Sequence, residues 1–207
     1  MGKEKSSFGK KLQNFWYYYK VHTIIGLLVA ALIGVTVSQC ANRESPDYTV
    51  ILYMQKELSE QMTDAVSAEM ERYGKDCNGD GKVIVEIVNC SYDPNGSREV
   101  TLGSIGKMQA QLALPDAPLM ITDQHTFADL DEQGVFAVRD DLPDQDGKAL
   151  ALKDTPLYQA VNGIKANYLV NELYLSIRDI RDNQYAQEFM ADSQELLENI
   201  LAAYLPA

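Results

Sequence analysis

From Val21 to Ser38 the chain runs for 18 residues, VHTIIGLLVAALIGVTVS, without a formal charge, and no other feature limits its possible folds as strongly. As a helix rising about 1.5 Å per residue, the run spans roughly 27 Å, close to the hydrocarbon core of a bilayer. A core helix of a water-soluble protein keeps a polar face, and this segment has none. Trp16-Tyr17-Tyr18-Tyr19 and Lys20 stand directly before it, an arrangement suited to the headgroup level. The reading is one transmembrane helix over residues 21–39.

Charge orients that helix. Residues 1–39 hold Lys3, Lys5, Lys10, Lys11 and Lys20 against the single acid Glu4. Of the 18 Lys+Arg and 30 Asp+Glu in the chain, 13 and 29 remain beyond residue 39, a net of −16 against −12 for the whole. Lysines before the span and acids after it place the N-terminus in the cytoplasm by the positive-inside rule. The predicted layout is a basic cytoplasmic tail over 1–20, the span, a linker over 40–47, and an extracytoplasmic domain over 48–207. So acidic a domain excludes nucleic acid as a partner, because phosphate-backbone affinity rests on clustered Lys and Arg.

The N-terminal segment is expected to stay attached. A lipoprotein signal needs a small residue directly before the lipidated cysteine, and here Val37-Ser38-Gln39 precede Cys40. No clean A-x-A cleavage pattern appears either. An uncleaved anchor is the leading expectation, with lipidation at Cys40 as the alternative.

Beyond the linker, strand-like and helix-like segments alternate. Tyr48–Met54 (YTVILYM) and Val83–Val88 (VIVEIV) read as strands, with a helix over Ser59–Tyr73 between them and Gly74 as its stop. After the turn-rich Tyr92–Ser97, a second helix carries Leu102, Ile105, Met108 and Leu112 as its buried stripe, with Gly103 and Gly106 allowing close approach to a sheet. Pro118–Thr122 reads as a third strand, Asp123–Leu130 as a helical turn and Gly134–Val138 as a fourth strand. Asp140–Asp154, acidic and marked by Pro and Gly, reads as a surface loop. Tyr158, Val161, Ile164 and Tyr168 suggest a helix, and Leu173–Ile177 alternates as a returning strand. A last helix over Asn183–Tyr204 has Asp182 as its N-cap and Tyr185, Phe189, Leu196, Leu197, Ile200 and Tyr204 on its inner face. The order predicts an α/β fold: a single three-layer domain with a mixed, mostly parallel sheet, built on a β-α-β-α-β core.

Few residues carry chemistry. Asp76-Cys77-Asn78-Gly79-Asp80-Gly81 places oxygen side chains at relative positions 1, 3 and 5 and glycine at 6, the first half of a calcium loop. Ile87 then stands at position 12, where a bidentate acid is needed, so a plain Asx/Gly turn is the simpler reading and calcium the only cofactor considered. Cys77 and Cys90 flank a strand and are expected to remain unbridged. His125, with Asp123 and Asp129 nearby, has no nucleophile motif behind it. The pairs Asp140-Asp141 and Asp144/Asp146 sit in one loop and read as a solvated face rather than as glycosidase carboxylates. These features argue against an enzyme, and an extracytoplasmic hydrolase is the remote alternative.

Several segments resemble the first lobe of bacterial extracellular solute-binding proteins of the two-lobed, transporter-linked class. They are YTVILYM with its following helix, Tyr73–Val88 (YGKDCNGDGKVIVEIV), Gln109–Asp123 (QAQLALPDAPLMITD) and Phe136–Leu142 (FAVRDDL). The resemblance covers residues 48–142; only 65 residues follow Leu142, so it implies one lobe rather than two. It further implies ligand contacts at strand carboxyl ends, here Met54, Gln55 and Asp123, since ligands of open α/β sheets bind there. Ordinary strand-to-helix loop residues are the plainer reading of Met54 and Gln55. The function expected is a membrane-anchored binding or interaction domain, with a protein or a small solute as partner. The alternative is a minimal solute-binding lipoprotein of an ABC-type transporter, anchored through Cys40.

Overall fold

The computed structural model describes residues 5–41, 45–56, 58–162, 172–180 and 186–205. The chain divides into two compact units, Met1–Glu44 and Ser45–Ala207. In the first, α1 (Lys5–Ala41) is a single helix of 37 residues. Its window Tyr19–Thr36 is long and apolar enough to cross a membrane, and none of that window is buried. Ile25, Leu27, Leu28, Leu32 and Ile33 are all more than half exposed, so no core covers them. The hydroxyls of Thr23 and Thr36 donate to the carbonyls of Tyr19 and Leu32, each at 2.9 Å, which satisfies both groups within the helix.

The second unit is α/β. Its sheet holds β1 (Tyr48–Tyr53), β2 (Val85–Asn89), β3 (Leu119–Asp123), β4 (Ala149–Ala151) and β5 (Leu173–Ile177), in the order β2-β1-β3-β5-β4. β1 pairs in parallel with β2 and β3, whereas β5 runs antiparallel to β3 and to β4. The sheet is therefore mixed and mostly parallel. Strand alternation sorts the apolar side chains into two layers. Val50, Leu52, Leu119, Ile121, Leu173, Leu175 and Ile177 pack on one face beneath α2 (Glu60–Met70), α5 (Pro156–Asn162) and α6 (Gln187–Tyr204). On the other face, Ile51, Tyr53, Met120 and Tyr174 meet α3 (Arg98–Leu112) and α4 (Gln124–Glu132). Phe127 and Phe136 stack there at 4.7 Å.

Five expectations need correction. Gly134–Val138 is not a strand; it contributes one bridge, Phe136 to Arg178. The fourth strand is Ala149–Ala151, inside the segment expected to be a surface loop, because Leu150 and Leu152 bury into the core while Ala149 packs on the opposite face. In α3 only Met108 is fully buried; Leu102 is 58% exposed, and a Cβ at Gly103 or Gly106 would meet nothing within 4 Å. Phe189 is likewise 42% exposed rather than on the inner face of α6. Gly74 does not end α2 through a left-handed turn: a Cβ there would lie 2.8 Å from Val83 Cγ1 and 2.9 Å from the Tyr48 ring. Close approach of two elements, not backbone handedness, requires that glycine.

Other boundaries shift by a few residues, as helix ends do. Cys77 and Cys90 are both free, the first exposed and the second buried. Ile164, Tyr168, Asp182 and Tyr185 lie outside the described residues. The end of the linker is pinned. Asp47 Oδ1 accepts the backbone N–H of Cys77 (2.8 Å) and of Asn78 (3.1 Å), and Oδ2 that of Ile84 (2.9 Å).

Candidate functional site

β1 pairs with β2 on one side and β3 on the other, so the chain reverses its direction of travel across the sheet between β1 and β3. In open α/β sheets the carboxyl ends on either side of such a reversal diverge and leave a crevice. Gln55 follows β1 at this edge and Asp123 closes β3. The structure brings these two together: the Gln55 backbone N–H donates to Asp123 Oδ2 at 2.6 Å.

Asp123 owes its position to helix chemistry. It is the N-cap of α4, and its Oδ1 accepts the backbone N–H of Thr126 at 2.8 Å and the Thr126 hydroxyl at 2.9 Å. The carbonyl of Tyr53, 2.8 Å from that hydroxyl, is an alternative acceptor for its single proton. Thr126 is fully buried, so this network fixes the start of α4 against the end of β1. Both carboxylate oxygens of Asp123 are thus committed to protein donors, which makes it a clamp across the reversal point and removes it as a free acid or base.

Met54 is placed elsewhere. It is fully buried in the core beneath α2, α5 and α6, and its backbone N–H donates to Ser91 Oγ at 3.2 Å. Its thioether fills the core. Gln55 is half-buried and donates from Nε2 to the Tyr92 hydroxyl at 3.3 Å. The Tyr53 and Tyr92 rings lie 5.8 Å apart, and burial beside Tyr92 and Asp129 pushes the Tyr53 phenol well above its ordinary range. His125 is exposed, with Nδ1 3.6 Å from Asp129 Oδ2.

The polar side chains at this edge are neutral: the half-buried Gln55 amide and the buried Tyr92 phenol to which it donates. Such groups recognise polar ligands without covalent chemistry. Sequence reading missed Tyr92, Ser91 and Thr126. The Asp-x-x-Thr spacing at a strand end was the available signal for Thr126, since an Asp N-cap bonds the third residue after it. Nothing in the local pattern distinguishes Tyr92 from the turn it opens.

Asp76, Asn78 and Asp80 do share one loop. Asp76 Oδ1 accepts from the amides of Gly79 (2.6 Å) and Asp80 (3.2 Å), and Oδ2 from that of Gly81 (2.8 Å). Asn78 Oδ1 accepts from Asp80 N–H, and Asp80 Oδ1 from Lys82 N–H, both at 2.9 Å. Gly79 (φ +77°) and Gly81 (φ +86°) supply left-handed turns. Ile87 lies within β2 and packs against the core. Among the described residues, no group of three or more His, Cys, Asp or Glu side chains gathers as a metal site.

No family model, curated protein or solved structure matches the chain.

Proposed function

We propose that the protein is a single-pass, N-in membrane protein presenting an acidic α/β binding or interaction domain outside the cytoplasm, related to one lobe of solute-binding proteins. The observation that carries this reading is α1, whose uncovered apolar window has no place in water. The five lysines before it and the −16 balance beyond residue 39 support the orientation. Gln39 stands directly before Cys40, where a lipoprotein signal needs a small residue, and this favours a continuous anchor over a signal cut before Cys40.

Binding is assigned to the carboxyl-end edge between β1 and β3, where the half-buried Gln55 amide, backed by the buried Tyr92 phenol, offers neutral recognition and Asp123 holds the two strands in place. The ligand class is a small polar solute or the loop of a partner protein. The 76–82 loop is read as a turn closed by its own amides. The anchor is tested by alkaline carbonate extraction with mass spectrometry of the N-terminal peptide. Retention in the pellet with the residues before Cys40 still attached is expected; release, or a chain starting at a lipid-modified Cys40, would sink the anchor. Calcium at millimolar concentration should leave the melting temperature of the 45–207 unit unchanged, and an upward shift would restore a site at Asp76, Asn78 and Asp80.

A further inference from the structure

We propose that the helical segment preceding the membrane span, residues 5–20, is a binding surface for anionic phospholipid headgroups. The inference rests on the membrane-spanning reading of α1. That helix is continuous over 37 residues, which at about 1.5 Å each is roughly 55 Å, against a hydrocarbon core of about 30 Å. The apolar window occupies Tyr19–Thr36. Residues 5–18 of the same helix therefore extend roughly 21 Å beyond the core on the N-terminal side.

Those residues have the chemistry of a charged interface. Residues 5–20 contain Lys5, Lys10, Lys11 and Lys20 and no acid. Phe8, Leu12, Phe15 and Tyr19 recur at i, i+4, i+7 and i+11, a single helical register. Trp16, Tyr17 and Tyr19 are 53%, 73% and 53% exposed, at the depth where aromatic rings meet headgroups. Along this continuous helix Lys10, Lys11 and Lys20 stand within about 14 Å of the apolar window, close to a Debye length of the headgroups, and each lysine near an anionic surface strengthens attachment about fivefold. Covalent continuity with the span holds the lysines at the headgroups, which favours a lipid over a soluble polyanion.

Trp16 is the only tryptophan in the chain, so its fluorescence reports this segment alone. The full chain is reconstituted in phosphatidylcholine vesicles containing brominated phosphatidylcholine or, at equal mole fraction, brominated phosphatidylglycerol. Quenching of Trp16 is expected to be two- to fivefold stronger with the anionic lipid, to converge on the zwitterionic value in about 0.5 M NaCl, and to lose its selectivity in the K10Q/K11Q variant. Equal quenching by the two lipids at low salt overturns the proposal while leaving the span intact. A chain released by carbonate and quenched by neither lipid refutes the span itself. Transfer RNA that shifts Trp16 emission in phosphatidylcholine vesicles and abolishes selectivity for the anionic lipid would assign the lysines to a soluble polyanion, and also overturns the proposal.

Discussion

Arg178, just after β5, is 3% exposed, and its guanidinium closes the C-terminal end of α3. Nη1 donates to the carbonyls of Ala117 (2.9 Å), Leu114 (3.1 Å) and Gln111 (3.4 Å), and Nη2 to that of Leu112 at 2.6 Å. A helix ends with orphan carbonyls and the negative pole of its dipole, so a cation with forked donors is well matched to it. Burial pulls the guanidinium pKa below its ordinary value, and only the Asp116 charge opposes that. Arg178→Met keeps most of the volume and removes both charge and donors. The Ala117 carbonyl belongs to a fully buried residue, and leaving it unpaired costs about 1–3 kcal/mol. Loss of the dipole interaction adds about 0.3–1 kcal/mol. Leu114 is 45% exposed, so its carbonyl can turn to water, and relief of the buried charge offsets part of the rest. The expected net loss is about 1–3 kcal/mol, a large share of the roughly 5–15 kcal/mol a domain has. Urea unfolding of the 45–207 unit followed by circular dichroism should show the midpoint falling by about 0.5–1.5 M, for a slope of ~2 kcal/mol/M. Arg178→Lys, which keeps the charge without the fork, should fall between. A methionine variant within about 0.5 kcal/mol of the parent would refute the argument that these four bonds hold the end of α3.

The same assay tests three further expectations. Gly74→Ala should cost about 1–3 kcal/mol, because its Cβ would press on Val83 and Tyr48; Gly103→Ala, in open space within α3, should gain about 0.5–1 kcal/mol, and the reverse order would contradict the close-approach reading. Asp123→Ala should destabilise by about 1–2 kcal/mol through loss of the α4 cap, and Asp123→Asn by less. An alanine variant of unchanged stability would remove Asp123 as the clamp between β1 and α4. Asp141 is held below the ordinary carboxylate range chiefly by its hydrogen bonds from Arg139, at 2.8 and 2.6 Å. A lowered folded pKa gives stability that is present above the unfolded value of about 4 and is lost as pH falls through the folded one. The parent should exceed Asp141→Asn at neutral pH and match it in strong acid, and a gap that persists there would refute the pairing.

Much of the fold is legible in the sequence, for identifiable reasons. Leu173–Ile177 is fully buried between β3 and β4, and its apolar character marks it as a strand without context. Tyr48–Tyr53 and Leu119–Asp123 likewise carry long apolar runs, as strands covered on both faces do. β4 is illegible because three residues, Ala-Leu-Ala, amid Asp, Gly and Pro form a strand only when β5 is already present to pair with them. The α3 stripe misled because Leu102, Ile105, Met108 and Leu112 satisfy helical spacing while the sheet beneath accepts only Met108 fully. Arg178 reads as an ordinary polar residue after a strand; its role depends on carbonyls more than 60 residues earlier. Of the candidate site, strand-end logic reached Gln55 and Asp123, whereas Met54 fell on the buried side of the alternation and Tyr92 reaches Gln55 only through tertiary folding.

The proposed topology is tested most directly by Cys77, which is exposed in the α/β unit while Cys90 is buried. Burial raises the Cys77 thiol pKa, so labelling is best carried out near pH 8.5, where more thiolate forms. In a Cys40→Ser background, a membrane-impermeant maleimide applied to intact cells should modify Cys77, and Cys77→Ser should abolish the signal. Labelling of Cys77 only after lysis would put the acidic domain in the cytoplasm and contradict the proposed orientation.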